Sequence, residues 1–127
     1  MRVLILGGTG VMGRYLVDIF HQKEVDVYVT SRKHNKSYDN INYILCDAKN
    51  TNNISVILEQ GWDAIVDFMV YASLEEFKEK KDMMLRSTKQ YIFMSSARVY
   101  ADSDVPITEK SSRLVDVSTD GEYIKLE

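Results

Sequence analysis

Val3-Leu4-Ile5-Leu6-Gly7-Gly8-Thr9-Gly10-Val11-Met12-Gly13 opens as an apolar run, passes through spaced glycines and continues into an amphipathic segment. That order reads as a strand, a phosphate-binding turn and a helix. Two spacings are satisfied at once: Gly8-x-Gly10-x-x-Gly13, the dinucleotide fingerprint, and Gly7-x-x-Gly10-x-x-Gly13, its wider relative. The first glycines let the chain turn sharply after the strand, Gly10 lets backbone approach a pyrophosphate, and Gly13 lets the helix lie close on the strand. Amides and dipole at the helix start add attraction for an anion, so Gly7, Gly8, Thr9, Gly10, Val11, Met12 and Gly13 are candidate cofactor-binding residues. Tyr15, Leu16, Ile19 and Phe20 are expected on one helical face. The alternative, a glycine turn that only joins strand to helix, carries no chemistry.

Further apolar stretches recur at intervals that suit alternating strands and helices. Val3–Leu6, Val25–Thr30, Tyr43–Cys46, Ala64–Val70 and Tyr91–Met94 read as strands, and Met12–Gln22, Ile54–Glu59 and Leu74–Arg86 as helices. On the last helix Glu75, Glu79, Lys80 and Asp82 are expected on the outer face, with Met83, Met84 and Leu85 burying the other. The fold class is therefore α/β, a doubly wound parallel sheet of about five strands in the order 3-2-1-4-5. Ser31–Asn42 is polar and basic and reads as an exposed loop in place of a full helix. After Ser95 the periodicity fades, leaving Leu114-Val115 as a lone apolar run. Residues 1–125 are expected to form one dinucleotide-binding domain, cut short, and Leu126-Glu127 resembles a cloning-vector scar.

Composition narrows the function. The 127 residues are 45% hydrophobic and 28% charged with a net charge of −3, which suits one soluble globular core. Basic residues form no stripe, so nucleic acid is not an expected partner. No apolar run reaches membrane-spanning length, and the first strand leaves no room for a signal peptide, so a cytoplasmic address and no membrane partner are expected. Cys46 has no companion for a disulfide, and with His21 and His34 it forms no ligand spacing, so no metal is expected. Cys46 reads as a small buried hydrophobe.

Tyr91-Ile92-Phe93-Met94-Ser95-Ser96-Ala97-Arg98-Val99-Tyr100 is the second informative stretch, a strand ending in paired hydroxyls at the edge where parallel sheets bind ligands. With the glycine turn before it and Pro106-Ile107-Thr108-Glu109 after it, the chain resembles the amino-terminal part of an extended short-chain dehydrogenase/reductase, of the NAD-dependent epimerase/dehydratase group. The resemblance implies a nucleotide-sugar substrate, hydride transfer through a keto intermediate, and a possible homodimer through helices flanking the fourth and fifth strands. It places Ser96 on the reacting oxygen, a task suited to a hydroxyl that both donates and accepts; alternatively, Ser96 only caps the strand. The family pairs this Ser with a Tyr and a Lys four residues later, the ammonium lowering the phenol's pKa. None of the eight tyrosines has that Lys; Tyr123, at the expected place, is followed by Glu127. Tyr123 is the candidate acid/base, and the chain by itself is expected to be inactive.

At the end of the second strand, Thr30-Ser31-Arg32-Lys33 contains no acid to hold a ribose 2′-hydroxyl. Ser31 and Arg32 suit a 2′-phosphate instead, favouring NADP over NAD, with a solvated basic loop as the alternative. Asp47 stands where the family has an Asp reaching the adenine amino group, or is a simple turn residue. Met69-Val70-Tyr71-Ala72 replaces the small residues that the family lays against the cofactor, so Met69 is a candidate contact in a divergent branch. The rival class is a non-catalytic NAD(P)-binding sensor; a purely structural module would bind no cofactor.

Overall fold

The computed structural model describes residues 1–96 and 99–119. Strand β1 (Arg2–Leu6) lies at the centre because its side chains feed two cores in alternation. Val3 and Ile5 join Val27, Val29, Ile41 and Val66 on one face, and Leu4 and Leu6 join Ile54, Ile65 and Met84 on the other. A strand apolar at every inner position is satisfied only by layers on both sides. Helix α1 (Val11–Gln22) covers the first face; α2 (Thr51–Leu58) and α3 (Leu74–Ser87) cover the second. With β2 (Asp26–Ser31), β3 (Ile41–Leu45), β4 (Trp62–Asp67) and β5 (Thr88–Phe93), the sheet has the order β3-β2-β1-β4-β5 and every pairing is parallel. The expected fold class and strand order are those observed.

Polar side chains set the boundaries. Asn50 caps α2 by accepting from the Asn53 amide at 3.1 Å, which starts that helix before Ile54. Ser73 caps α3 at 3.2 Å, and Glu76 reaches back to the Ala72 amide at 2.9 Å, a capping box displaced by one residue. The link from β2 to β3 is a loop without a helix, stitched to the end of α1 and the turn after it by Asn40, whose amide nitrogen donates to the Phe20 carbonyl at 3.3 Å and the Val25 carbonyl at 2.6 Å. Residues 99–119 add a Tyr100–Arg113 bridge and the short helix α4 (Leu114–Val117).

Several expectations are corrected. On α1 the face toward the sheet is Gly13, Leu16, Val17 and Phe20, while Tyr15 is 73% and Ile19 45% exposed. Contact at Gly13 sets the rotation of the helix, so the stripe runs from that glycine at spacings of three and four. On α3, Lys80 is not on the outer face but 1% exposed, and Leu85 is 51% exposed while Met84 is buried. Strand β4 stops at Asp67 rather than Val70, and β5 begins at Thr88, directly after α3, rather than at Tyr91. No helix among the described residues is long and apolar enough to cross a membrane.

Candidate functional site

The glycine turn sits at the carboxyl edge of β1, and its glycines serve different ends. Gly7 takes φ +74°, a conformation that side chains disfavour, and its carbonyl accepts from the Gly10 amide at 3.2 Å to close the turn. Gly8 and Gly13 pack against one another: a Cβ on Gly13 would stand 2.5 Å from the Gly8 Cα. At Gly10 a Cβ would meet only the Gly7 carbonyl oxygen, at 3.5 Å, so nothing in the protein demands glycine there. The missing Cβ leaves open space above the start of α1. No side chain caps that helix, its first turn holds no acid, and the amides of Val11, Met12 and Gly13 have no acceptor among the described residues. Open space and unpaired donors together fit a pyrophosphate.

Three adjoining cavities follow the carboxyl edge of the sheet. The middle one, about 390 Å³, is lined by Gly7, Thr9, Gly10, Ser31, Arg32, Asp47 and Met69, which unites most of the predicted cofactor residues. On one side it shares Thr9, Ser31 and Arg32 with a cavity of about 820 Å³ that includes Arg14, Lys33 and Asn35. On the other it shares Met69 with a more apolar cavity of about 520 Å³, where Met12, Ser95 and Ser96 appear beside Phe77 and Phe93. Val11 is exposed at the helix start, and Gly8 and Gly13 lie beneath the surface as packing residues. The family-type contact expected of Asp47 is compatible with its exposed position, although one carboxylate oxygen accepts from the Lys49 amide at 3.0 Å.

Ser31 does not present its hydroxyl as a phosphate donor. Its single proton goes to the Lys33 carbonyl at 2.8 Å, while its oxygen accepts from the Lys33 amide at 3.2 Å and Asn35 Nδ2 at 2.8 Å. Ser31 therefore shapes the loop that carries Arg32. The Arg32 guanidinium makes no hydrogen bond or ion pair among the described residues and borders both the middle and the large cavity.

After β4 the structure reveals a buried cluster that the sequence reading missed. Asp67 is fully buried; its Oδ1 accepts from the Met69 amide at 2.8 Å, and its Oδ2 accepts from the phenols of Tyr71 at 2.6 Å and Tyr91 at 2.7 Å. The bond to Met69, two residues on, is an Asx-type turn that ends the strand. Burial raises the Asp67 carboxyl above the usual carboxylate range, opposed by Tyr71, Tyr91, the Met69 amide and Lys80. Burial and the adjoining carboxylate push both phenols upward. Lys80 donates to the Lys49 carbonyl and, at 3.1 Å, to Glu76, with its ammonium 5.6 Å from the Tyr71 ring. Tyr71 thus directs its hydroxyl to Asp67, stands edge-on to Phe77 with centroids 5.3 Å apart, and forms part of the wall of the apolar cavity. An acid inside the run Ala64–Val70 was the available signal.

Ser96 follows β5, lines the apolar cavity, and its carbonyl accepts from the Val99 amide at 3.2 Å. Tyr123 and Arg98 lie outside the described residues.

A sequence model of the NAD dependent epimerase/dehydratase family matches residues 3–124. The chain belongs to that family. Within it, this epimerase/dehydratase-family chain has the fold of a short-chain dehydrogenase/reductase superfamily protein from Agrobacterium tumefaciens solved with bound NAD (TM-score 0.71, 16% identity, 89% of this chain and 39% of that one). It is also similar to the UDP-Glc/GlcNAc 4-epimerase of Campylobacter jejuni (TM-score 0.68, 19% identity, 88% and 42%) and to a UDP-galactose 4-epimerase (TM-score 0.67, 20% identity, 89% and 44%). The chain thus spans well under half the length of these three structures. Comparison with curated proteins by sequence gave no match.

Proposed function

We propose that this chain is the NAD(P)-binding portion of a nucleotide-sugar epimerase, dehydratase or reductase, with NADP the favoured cofactor. The observation that carries the reading is the open space at Gly10 over an uncapped, acid-free helix start, in a cavity that also holds Arg32 and Asp47. The amides of Val11, Met12 and Gly13 would hold the pyrophosphate, Arg32 the 2′-phosphate, Asp47 the adenine amino group, and Met69 the ring end of the cofactor. When bound, the nicotinamide would supply a hydride acceptor and donor for the interconversion of a carbinol and a ketone. Ser96 would contact the reacting oxygen, its hydroxyl donating to a ketone and accepting from an alcohol. Tyr123 is the proposed acid/base, needing a cationic neighbour to lower its pKa. Its matching Lys is absent four residues on. The nucleotide-sugar assignment rests on family membership and on neighbours described as UDP-sugar epimerases.

Calorimetric titration with NADP and with NAD tests the reading. Binding of both, tighter for NADP, is the expected result; binding of neither would overturn it and leave a structural module. A non-catalytic sensor binds equally well, and is distinguished by the absence of any change in nicotinamide absorbance when UDP-sugars are added to the full-length protein.

A further inference from the structure

We infer that Asp67 is a positioning residue for the nicotinamide half of the cofactor: its carboxylate ties the segment after β4, which carries Met69, to β5, which leads to Ser95 and Ser96. This inference rests on the cofactor reading above and deepens it.

The α1 amides offered to a pyrophosphate stand between two cavities, so a dinucleotide centred on them sends its halves opposite ways. One half enters the middle cavity with Arg32 and Asp47. The other meets the apolar cavity of about 520 Å³, whose wall includes Met12 from the same helix start, and Met69 borders both. Two segments bound the apolar cavity, the residues that follow β4 and those that end β5. Backbone pairing joins them up to the Met94 amide, which donates to the Asp67 carbonyl at 2.9 Å, and past that bond neither segment is a strand. There the Asp67 side chain takes over. Oδ1 holds the Met69 amide at 2.8 Å, and Oδ2 holds the phenols of Tyr71 at 2.6 Å and Tyr91 at 2.7 Å. Tyr91 pairs with Ile65 in the register, so its phenol reaches along the sheet to the acid two residues on. Tyr71 carries the restraint into the cavity wall, its ring 6.0 Å from that of Phe93, which in turn lies 5.0 Å from Phe77. One carboxylate thereby sets Met69, Tyr71 and the end of β5 together. An apolar residue at this fully buried place would avoid the cost of desolvating an acid, but would supply none of that direction. Walls held in advance spare part of the ordering cost of a ring that binds between them.

The test is calorimetric titration of wild type, Asp67→Asn and Tyr71→Phe with NADP and NAD, and with their counterparts that lack the nicotinamide ring, 2′-phospho-ADP-ribose and ADP-ribose. Asp67→Asn keeps an acceptor for the Met69 amide and replaces the one shared by the phenols with a donor. Tyr71→Phe keeps the ring and its packing, so it carries the test even if Asp67→Asn fails to fold. The expected result is dinucleotide binding weaker by about tenfold in Asp67→Asn and about threefold in Tyr71→Phe, with the ring-less ligands unchanged. Equal weakening of ligands with and without the ring would assign Asp67 to general support of the fold and overturn the inference. Unchanged dinucleotide binding in the variants would also overturn it, as would a wild type that binds ring-less ligands as tightly as dinucleotides; both leave the cofactor reading intact. A wild type that binds none of the four ligands would overturn that reading and the inference with it.

Discussion

The two ends of the sheet treat charge in opposite ways. At the amino-terminal edge the Arg2 amide donates to Asp63 at 2.8 Å, Lys89 meets the other Asp63 oxygen at 2.6 Å, and the Arg2 guanidinium lies 4.7 Å from the Trp62 ring and 5.1 Å from that of Tyr28. Arg2, Asp63 and Lys89 thus find their partners within the protein. At the carboxyl edge Arg14 and Arg32 have no acidic partner among the described residues, α1 begins uncapped, and the acid that is well partnered, Asp67, lies beneath the surface. Partnered edges serve stability, and unpartnered ones leave donors for a ligand. The difference sets a self-partnered end of this domain apart from the end where the ligand site is proposed.

The largest expected effect comes from emptying the support under the working end. Asp67→Ala leaves two phenols and an amide without their acceptor, and should lower the unfolding free energy by about 4 kcal/mol in urea titration. A loss near zero would show that the carboxyl edge is held by apolar packing alone. Gly13→Ala comes next, because its Cβ meets Gly8 backbone rather than a side chain that can yield. A loss of about 2 kcal/mol is expected, with weaker binding of both NADP and NAD as the turn shifts.

Arg32→Ala should leave stability unchanged and weaken NADP about tenfold, sparing NAD, in the same titrations. Equal effects on both cofactors, or no effect, would remove the 2′-phosphate assignment. A subtler contrast is in pH. The folded Asp67 carboxyl binds its proton more tightly than the unfolded one, because burial raises its pKa. Its contribution to stability is therefore greatest on the acid side and is lost as pH rises through the raised value. Thermal unfolding of wild type against Asp67→Asn should show that slope in the first and not in the second. Smallest of all, Asp63→Asn should cause only a slight loss at neutral pH. Lys89 and the Arg2 amide hold Asp63 below the usual carboxylate range, so its share fades as pH falls through that lowered value.

Legibility in the sequence followed the same division. β1, the glycine turn and the strand order were readable because a doubly buried strand must be apolar throughout and the turn must be glycine-rich. The start of β5 was not, since Thr88, Lys89 and Gln90 form an edge strand whose polar side chains carry no alternation. The rotation of α1 is not legible because Ile19 is as apolar as Val17 and Tyr15 offers a large apolar ring, and only the Gly8–Gly13 contact chooses between faces. Lys80 reads as a solvated charge and Asp67 is a single acid within an apolar run; their burial depends on partners distant in the chain, Lys49 and Tyr91, which periodicity does not report. Within the site, Gly7, Gly10, Arg32, Asp47 and Met69 line one cavity, whereas the direction of the Ser31 proton needed coordinates.

Cys46 gives the working end a reporter of its own. Its thiol is largely buried in the core beside Asp47, and that burial pushes its pKa up, so it reacts slowly while the fold is closed. Alkylation speeds up when the segment between β3 and α2 opens, which makes the labelling rate a clock for local unfolding. Because Cys46 and Asp47 border the middle cavity, a ligand seated there should slow that clock, and the chain's single thiol would count occupancy in time rather than in heat.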